Sequence, residues 1–516
     1  MIQKQVAEIS GVQIPEIGFG SKIQCRDQGG KTALVVVNDV QEKDFTAYDS
    51  VVTAAGFSLR ESRRFGKNQF FFRSDGENTL ILSYFPGIQE MHLVVEPNVD
   101  YLNFWDVPGN SVKKSAFTQI DLEDYGLCDV IDLEDGRFVV IDGGRELEKE
   151  ADKLFSYLQK NTAQGKPVIA AWIMTHPHLD HYPGFLSFWK KYREQVEIQR
   201  FLYNFPDAEL NEENFSYMSY EQEDMKRFFQ AVEETKAPVI RVHTGQEITI
   251  GNLRMEILSS PDDLIFGEDA SINIMSLVMK TYIAGQTLLL CSDSNFDYTP
   301  VMRQYGDYLK ADILQMPHHA FGGGTVEQFR QIDPEVCFAP VSEIHFYRYF
   351  CYYFAFNRYL MHELHVKELF TGKDGQDDVT LPLPYTPRPE GRERMLALEA
   401  MHQKALGAKT WVFLNLTLEE CKFTALNMGY LPVDVYIDLY FAERKDTVKS
   451  IKLTVDKEVF LPVDLADRSQ FDGDAVYYNP RALDKKGIPE GATFSVCFRC
   501  DFPLVIQGPK AADYHD

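Results

Sequence analysis

The chain has 516 residues, 45% of them hydrophobic and 13% aromatic, which supplies ample apolar surface for burial and excludes a disordered protein. That length exceeds one ordinary core, so two or three domains are expected. A formal net charge of −25 excludes a general binder of extended nucleic acid, whose phosphate backbone attracts basic surfaces, but leaves room for a small phosphorylated molecule in one metal-neutralised pocket.

In chain order, residues 1 to 115 read as a small α+β unit. Its opening, MIQKQVAEIS, lacks the apolar core of a secretory signal. KTALVVVNDV is strand-like, and DFTAYDSVVTAAGF has helical apolar spacing closed by Gly56. NQFFFRS and NTLILSYF flank the turn DGEN, and EMHLVVEP ends in proline. Residues 116 to 385 alternate strands and helices. GRFVVIDGG is a short strand, KPVIAAWIMT a buried-type strand that does not alternate, and GFLSFWKKYREQ a helix. Further strands are IQRFLYNF, LRMEILSS, SLVMKTYI, TLLLCS and ADILQM, an order that suggests sheets covered by helices. From 386 to 516, beyond the proline-rich LPLPYTPRPEG, a helix precedes β-rich segments, so a mainly β C-terminal domain is expected. No internal repeat is present. The eight cysteines are scattered; Cys497 and Cys500 form a lone CxxC in a strand-like stretch, which reads as two strand cysteines without a metal. No apolar run of about 18 residues occurs, so no membrane segment is expected. A reduced, cytoplasmic protein fits this composition, with homo-oligomerisation left open.

The chemistry concentrates in IMTHPHLDHYPG, Ile173 to Gly184, which holds three of the twelve histidines. Zinc-type ions favour imidazole nitrogen and carboxylate oxygen, and ligands close in sequence lower the entropy cost of a site. His176 and His178, two apart after a strand, can converge on one ion. Asp180 and His181 can turn toward a second. Other strand ends supply more donors. LLLCSDSN ends in Asp293, well placed to bridge two ions, and ADILQMPHHAFGGG ends in His318 and His319. Asp142, in FVVIDGG, can orient a ligand imidazole or simply cap a turn. Each residue has a plainer role to weigh against these: a solvated loop for the histidines, a helix cap for Asp293.

The THPHLDH stretch resembles the HxHxDH signature of the metallo-β-lactamase superfamily, and the order DGG, HPHLDH, SDS, PHHAFGGG is similar to its successive motifs. The resemblance covers the middle block. It implies an α/β fold, an αββα sandwich, with a two-metal site at one edge of the sheets. By position it implies His176 and His178 on the first ion, Asp180 and His181 on the second, and Asp293 bridging. One of His318 and His319 completes the second site, with His318 favoured by the HHG pattern. A further histidine common in the family is missing here, since His243 comes too early. SINIMSLVMK is instead similar to NNxSLVL of the branch that includes the DNA-uptake protein ComEC and the phosphorylcholine esterases. The first ion is therefore expected to have fewer protein ligands, with water or substrate filling the gap. Asn273 is either a turn residue or a neighbour of that ion. His345, in SEIHFYRYF, is either a proton donor or a structural histidine; Tyr347 and Arg348 are either anion contacts or core.

Two divalent ions are the implied cofactor, with zinc expected and manganese or iron as alternatives. Together they would turn a shared water into a metal-bridging hydroxide that Asp180 orients. The expected function is hydrolysis of a small phosphoester, foremost a phosphodiester. The same site could serve a lactone, amide or thioester, and a non-catalytic metal-bound sensor or assembly module is the reading from another class. No GxSxG is present for a serine nucleophile. The triple glycine 322–324 is a rim or a turn, and the N-terminal block a lid, a substrate selector or an assembly surface.

Overall fold

The computed structural model describes residues 2–97, 105–106, 109–122, 125–163, 165–205, 222–263, 272–296, 299–351, 355–364, 366–373 and 377–406, and beyond these the strand segments 413–417, 422–427, 433–441, 446–455, 459–464, 493–500 and 505–507. It divides into two compact units, one formed by residues 1–343 and 366–388, the other by 344–365 and 389–516.

The first unit opens with α1 (Ile2–Ser10), β1 (Ile23–Gly29), β2 (Thr32–Val37), α2 (Glu42–Ala54), β3 (Ser58–Phe65), β4 (Asn68–Ser74), β5 (Asn78–Phe85) and β6 (Glu90–Pro97). These strands form one antiparallel sheet in the order β1-β2-β6-β5-β4-β3. Helix α2 buries Phe45, Tyr48 and Val52, one helical stripe, and Gly56 ends the turn after it at φ +103°. In β6 the pleat sorts the side chains. Met91, Leu93 and Val95 join the apolar core that also contains α1 and α2 residues, while Glu90, His92 and Glu96 project from the other face.

The two sheets of the sandwich follow. The first contains β8 (Ala116–Gln119), β9 (Cys128–Asp132), β10 (Phe138–Asp142), β11 (Val168–Ile173), β12 (Glu197–Ile198), β13 (Phe201–Tyr203), β14 (Val239–Arg241) and the late β22 (Val379–Pro382). The second runs β21-β20-β19-β18-β17-β16-β15-β7, from β7 (Trp105–Asp106), β15 (Glu247–Ile250), β16 (Leu253–Ser259), β17 (Val278–Ile283), β18 (Gln286–Leu290), β19 (Ile313–Gln315), β20 (Val336–Ser342) and β21 (Glu368–Gly372). Alternation explains why β10 reads as one apolar run. Val139 and Ile141 enter the core shared by the two sheets, while Phe138 and Val140 enter a second core against α3 (Glu148–Asn161), α4 (Gly184–Tyr192) and α5 (Gln222–Thr235). The outer layer beyond the second sheet includes the crossover helix α6 (Val326–Ile332) between the parallel strands β19 and β20; its buried Phe329 and Ile332 lie outside the shared core. The fold class is thus α/β, helix-sheet-sheet-helix, as expected.

The second unit contains a helical segment, Ala355–His362, the helix Gly391–Leu406, and two small sheets built from strands between Phe413 and Gln507. Cys497 and Cys500 lie on the strand Thr493–Cys500, their side chains outside the described residues. No helix of the described residues is long and apolar enough to cross a membrane.

The N-terminal sheet docks on the sandwich through two histidines, each bridging two carboxylates. His92 reaches Asp263 at 3.1 Å and Glu90 at 3.2 Å. His243 reaches Asp262 at 2.6 Å and Glu96 at 3.0 Å. Each pairing across the boundary matches a histidine of one part to a carboxylate of the other. Arg241 extends the network by donating to Thr32 and to Asn204, which itself bonds Asp262. A ring held between two carboxylates is favoured in its protonated, imidazolium form. Burial works against that charge, but Asp263 and Glu90 push His92 up to about 9, and Asp262 and Glu96 push His243 up to about 9. A raised pKa contributes stability that is fully present below the ordinary histidine value and is lost as pH rises through 9. Each shift represents on the order of 3 kcal/mol. Urea unfolding followed from pH 6 to pH 10 should show stability falling between about 7 and 9, and His243→Gln should flatten that fall; a pH-independent transition over this window would contradict the docking role.

Candidate metal centre

The candidate metal donors lie in loops that follow strand ends. The parallel strands β10 and β11 of one sheet, and β18 and β19 of the other, deliver their C-terminal ends to the same edge of the sandwich. In α/β folds that edge is where loops are free to build a site.

The edge is also where the backbone is most constrained. Asp142, Ser292, His318, His319 and Ala320 all have φ between +48° and +65°, a region that side-chain-bearing residues rarely adopt. Hydrogen bonds brace Asp142, Ser292 and His318 there. Asp142 Oδ1 accepts from the Thr175 amide at 2.8 Å, and its Oδ2 accepts from the Thr175 hydroxyl at 2.6 Å. Gln315 Oε1 accepts from the amides of Cys291 and Ser292, while its amide group donates to Met316 O. His318 N then donates to Ser292 O at 2.9 Å, tying the β19 end to the β18 end. The Asp142-Gly143-Gly144 turn is stitched to the histidine loop by Gly143 N to His181 O and Gly184 N to Gly144 O. A methyl group added to Gly184 would fall 1.9 Å from the Gly143 carbonyl, so only glycine permits this approach.

Among the described residues, two groups of potential metal donors result. One contains Asp180, His181, Asp293 and His319; the other contains His176, His178 and Asp293. Asp293 belongs to both. In the first group His181 Nε2 lies 3.3 Å from His319 Nε2, and both lie 3.3 Å from Asp293 Oδ1. His319 Nε2 is 3.2 Å from Asp180 Oδ2. A tetrahedral ion with bonds of 2.0–2.1 Å holds its donors about 3.3 Å apart, so the donor set fits one. The outer nitrogens fix the tautomers. His181 Nδ1 donates to Asp142 at 2.8 Å and His319 Nδ1 donates to Pro340 O at 2.9 Å. With Nδ1 engaged in this way, each ring turns its Nε2 inward, the atom that would meet an ion once its proton is displaced. In the second group His176 Nε2 lies 3.1 Å from His178 Nδ1 and 3.9 Å from Asp293 Oδ2. His176 Nδ1 faces the hydroxyls of Thr175 and Ser292.

The sequence-favoured His318 is not in either group. Three consecutive left-handed residues swing its Nε2 to 3.2 Å from Asn273 Nδ2, while its neighbour His319 points at Asp180 and Asp293. Of the two, His319 is the one that falls within a donor group. Asn273, in the short turn Ile272–Met275, thus contacts His318. Asp142 sits behind His181, and His243 belongs to the docking network. His345, Tyr347 and Arg348 lie in the second unit, on the helical stretch His345–Phe350. Sequence reasoning missed Thr175, Ser292 and Gln315, which position the ligands. Thr175 and Ser292 adjoin motif residues, a usable signal, whereas nothing in sequence marks the buried Gln315.

Burial, the largest influence, pushes His178 down to about 4 and His176 well below the ordinary imidazole value. His181 and His319 go the other way. Burial opposes their charge, but Asp293, Asp180 and, for His181, Asp142 outweigh it, lifting His181 well up and His319 to about 10. The same contacts hold Asp293 well below the usual carboxylate range despite its burial.

No family model matches the chain, and no curated protein matches it. Solved structures similar to parts of it include unliganded yeast PDE1, at 12% identity over 57% of this chain and 95% of that one, with a TM-score of 0.29. Human tRNase Z, short form, is 11% identical over 52% and 99%, with a TM-score of 0.28. CmlA, a diiron β-hydroxylase from Streptomyces venezuelae, is 12% identical over 47% of this chain, with a TM-score of 0.26; the chain spans 45% of its length.

With no cation present, His181 and His319 hold protons at neutral pH that a metal ion must displace. Zinc titration by calorimetry in buffers of different ionisation enthalpy should therefore show proton release at pH 7. Apparent affinity should fall on the order of tenfold per pH unit for each displaced proton as pH drops. Binding without proton release would contradict the assignment of these two rings as ligands.

Proposed function

We propose that the chain is a metal-dependent hydrolase using two divalent ions, and that its substrate is a phosphoester, foremost a phosphodiester. The observation that carries the reading is Asp293, a buried carboxylate shared by two donor groups built from the strand ends of both sheets. His176 and His178 would hold one ion; Asp180, His181 and His319 would hold the other. When bound, such a pair supplies Lewis acidity toward a polar ester and lowers the pKa of water.

The protein's own residues do the rest. Asp142 keeps His181 oriented, as Pro340 O does His319. Asp180 is the more exposed of the two ligand carboxylates, its side chain 18% accessible against 3% for Asp293. It is therefore placed to orient an incoming water and take its proton. The second group, His176 and His178, offers two imidazoles and the shared carboxylate, which would leave room there for a substrate oxygen. The strongly acidic chain disfavours a long polyanion, which supports a small phosphoester. The phosphoester preference itself rests on the resemblance of the motif order.

Metal analysis of the purified chain should give two equivalents per chain. A panel of chromogenic phosphodiesters, phosphomonoesters and lactones should show turnover foremost on the phosphodiesters, abolished by chelation and restored by metal. Asp180→Asn should lower kcat by about a hundredfold or more while the fold persists. Less than one equivalent of metal, or no cleavage of any ester by the loaded protein, would overturn the reading.

A further inference from the structure

Among the described residues, three of the large apolar side chains left exposed lie at the metal centre: Tyr125 at 45%, Phe321 at 47% and Leu179 at 37%. Single exposed apolar residues are ordinary, but their placement here is not random. The Tyr125 ring lies 5.8 Å from that of His319, His319 lies 6.3 Å from His318, and His318 lies 5.7 Å from Phe321. Two exposed aromatic rings thus end a row whose middle is the donor His319 and its neighbour His318. Leu179 sits between His178 of one donor group and Asp180 of the other.

Tyr125 is exposed yet fixed. Its backbone bridges Val341. The Arg145 guanidinium stacks on its ring at 4.6 Å and donates to its carbonyl at 2.7 Å, while the Arg145 amide donates to Glu150. Phe321 is anchored by its amide, which donates to His318 O at the end of the left-handed triplet. A ring held in place with nearly half of its surface exposed is pre-organised for stacking, because little freedom remains to be lost on binding.

Building on the hydrolase reading, we infer that Tyr125 and Phe321 are specificity-determining residues that select a phosphodiester bearing a planar or apolar group on each ester arm. A monoester offers one arm and leaves one ring unused. Dimethyl phosphate offers two arms with nothing to stack. Arg145 acts as a positioning residue, holding the Tyr125 ring in place.

The test separates recognition from turnover. Diphenyl phosphate and dimethyl phosphate carry the same anion, so calorimetric titration of the zinc-loaded full chain with each reads the rings alone. Diphenyl phosphate should bind at least tenfold more tightly. Tyr125→Ala and Phe321→Ala should each weaken it about three- to tenfold without changing metal content, and Tyr125→Phe should retain binding. Equal or undetectable binding of the two anions, or no loss in the alanine variants, overturns the inference whether or not esters are cleaved. Absence of turnover on bis(p-nitrophenyl) phosphate with the binding preference intact would instead count against the hydrolase reading alone.

Discussion

The site depends on one carboxylate that touches no substrate. Asp142, fully buried and held at φ +55°, accepts three hydrogen bonds: two from Thr175 and one from His181. These bonds fasten the end of β10 to the loop after β11 and set the tautomer of a ring whose other nitrogen meets Asp293 and His319. Gln315 does the corresponding work in the second sheet, holding the Asp293 loop against the β19 end. The donors converge only because both sheets are tied at the same edge. Without a cation, the carboxylates of this crowd are balanced instead by protons held on His181 and His319.

Much of this was legible in the chain. Four strand-end motifs in one block specify where the donors must be, and alternation failing in FVVID and VIAAW correctly marks strands buried on both faces. What stayed illegible is orientation. His318 and His319 are adjacent, and the choice between them follows from three successive left-handed residues that no propensity foretells. Gln315 looks like any polar residue at a strand end until the neighbouring loop is folded against it. His243 resembled a misplaced ligand; its partners, Glu96 and Asp262, lie far away in sequence, so only the tertiary structure shows its role.

The N-terminal sheet illustrates the same division. Its strands and α2 follow from local pattern, but EMHLVVEP conceals two functions in alternate residues. One set fills an apolar core, and the other presents charges that meet oppositely charged partners in the sandwich. Removing one partner of such a buried pair is costly, because it leaves the other charge uncompensated. Here these pairs fix how the sheet meets the body that carries the metal centre.

The central claim is that Asp293 joins two ion sites. Crystals of the zinc-loaded full chain, measured for anomalous scattering at the zinc edge, test it most directly. The account predicts two peaks about 3.5–4 Å apart on either side of the Asp293 carboxylate, one beside His176 and His178 and the other beside His181 and His319. A single peak, or two peaks that do not share Asp293, would contradict it.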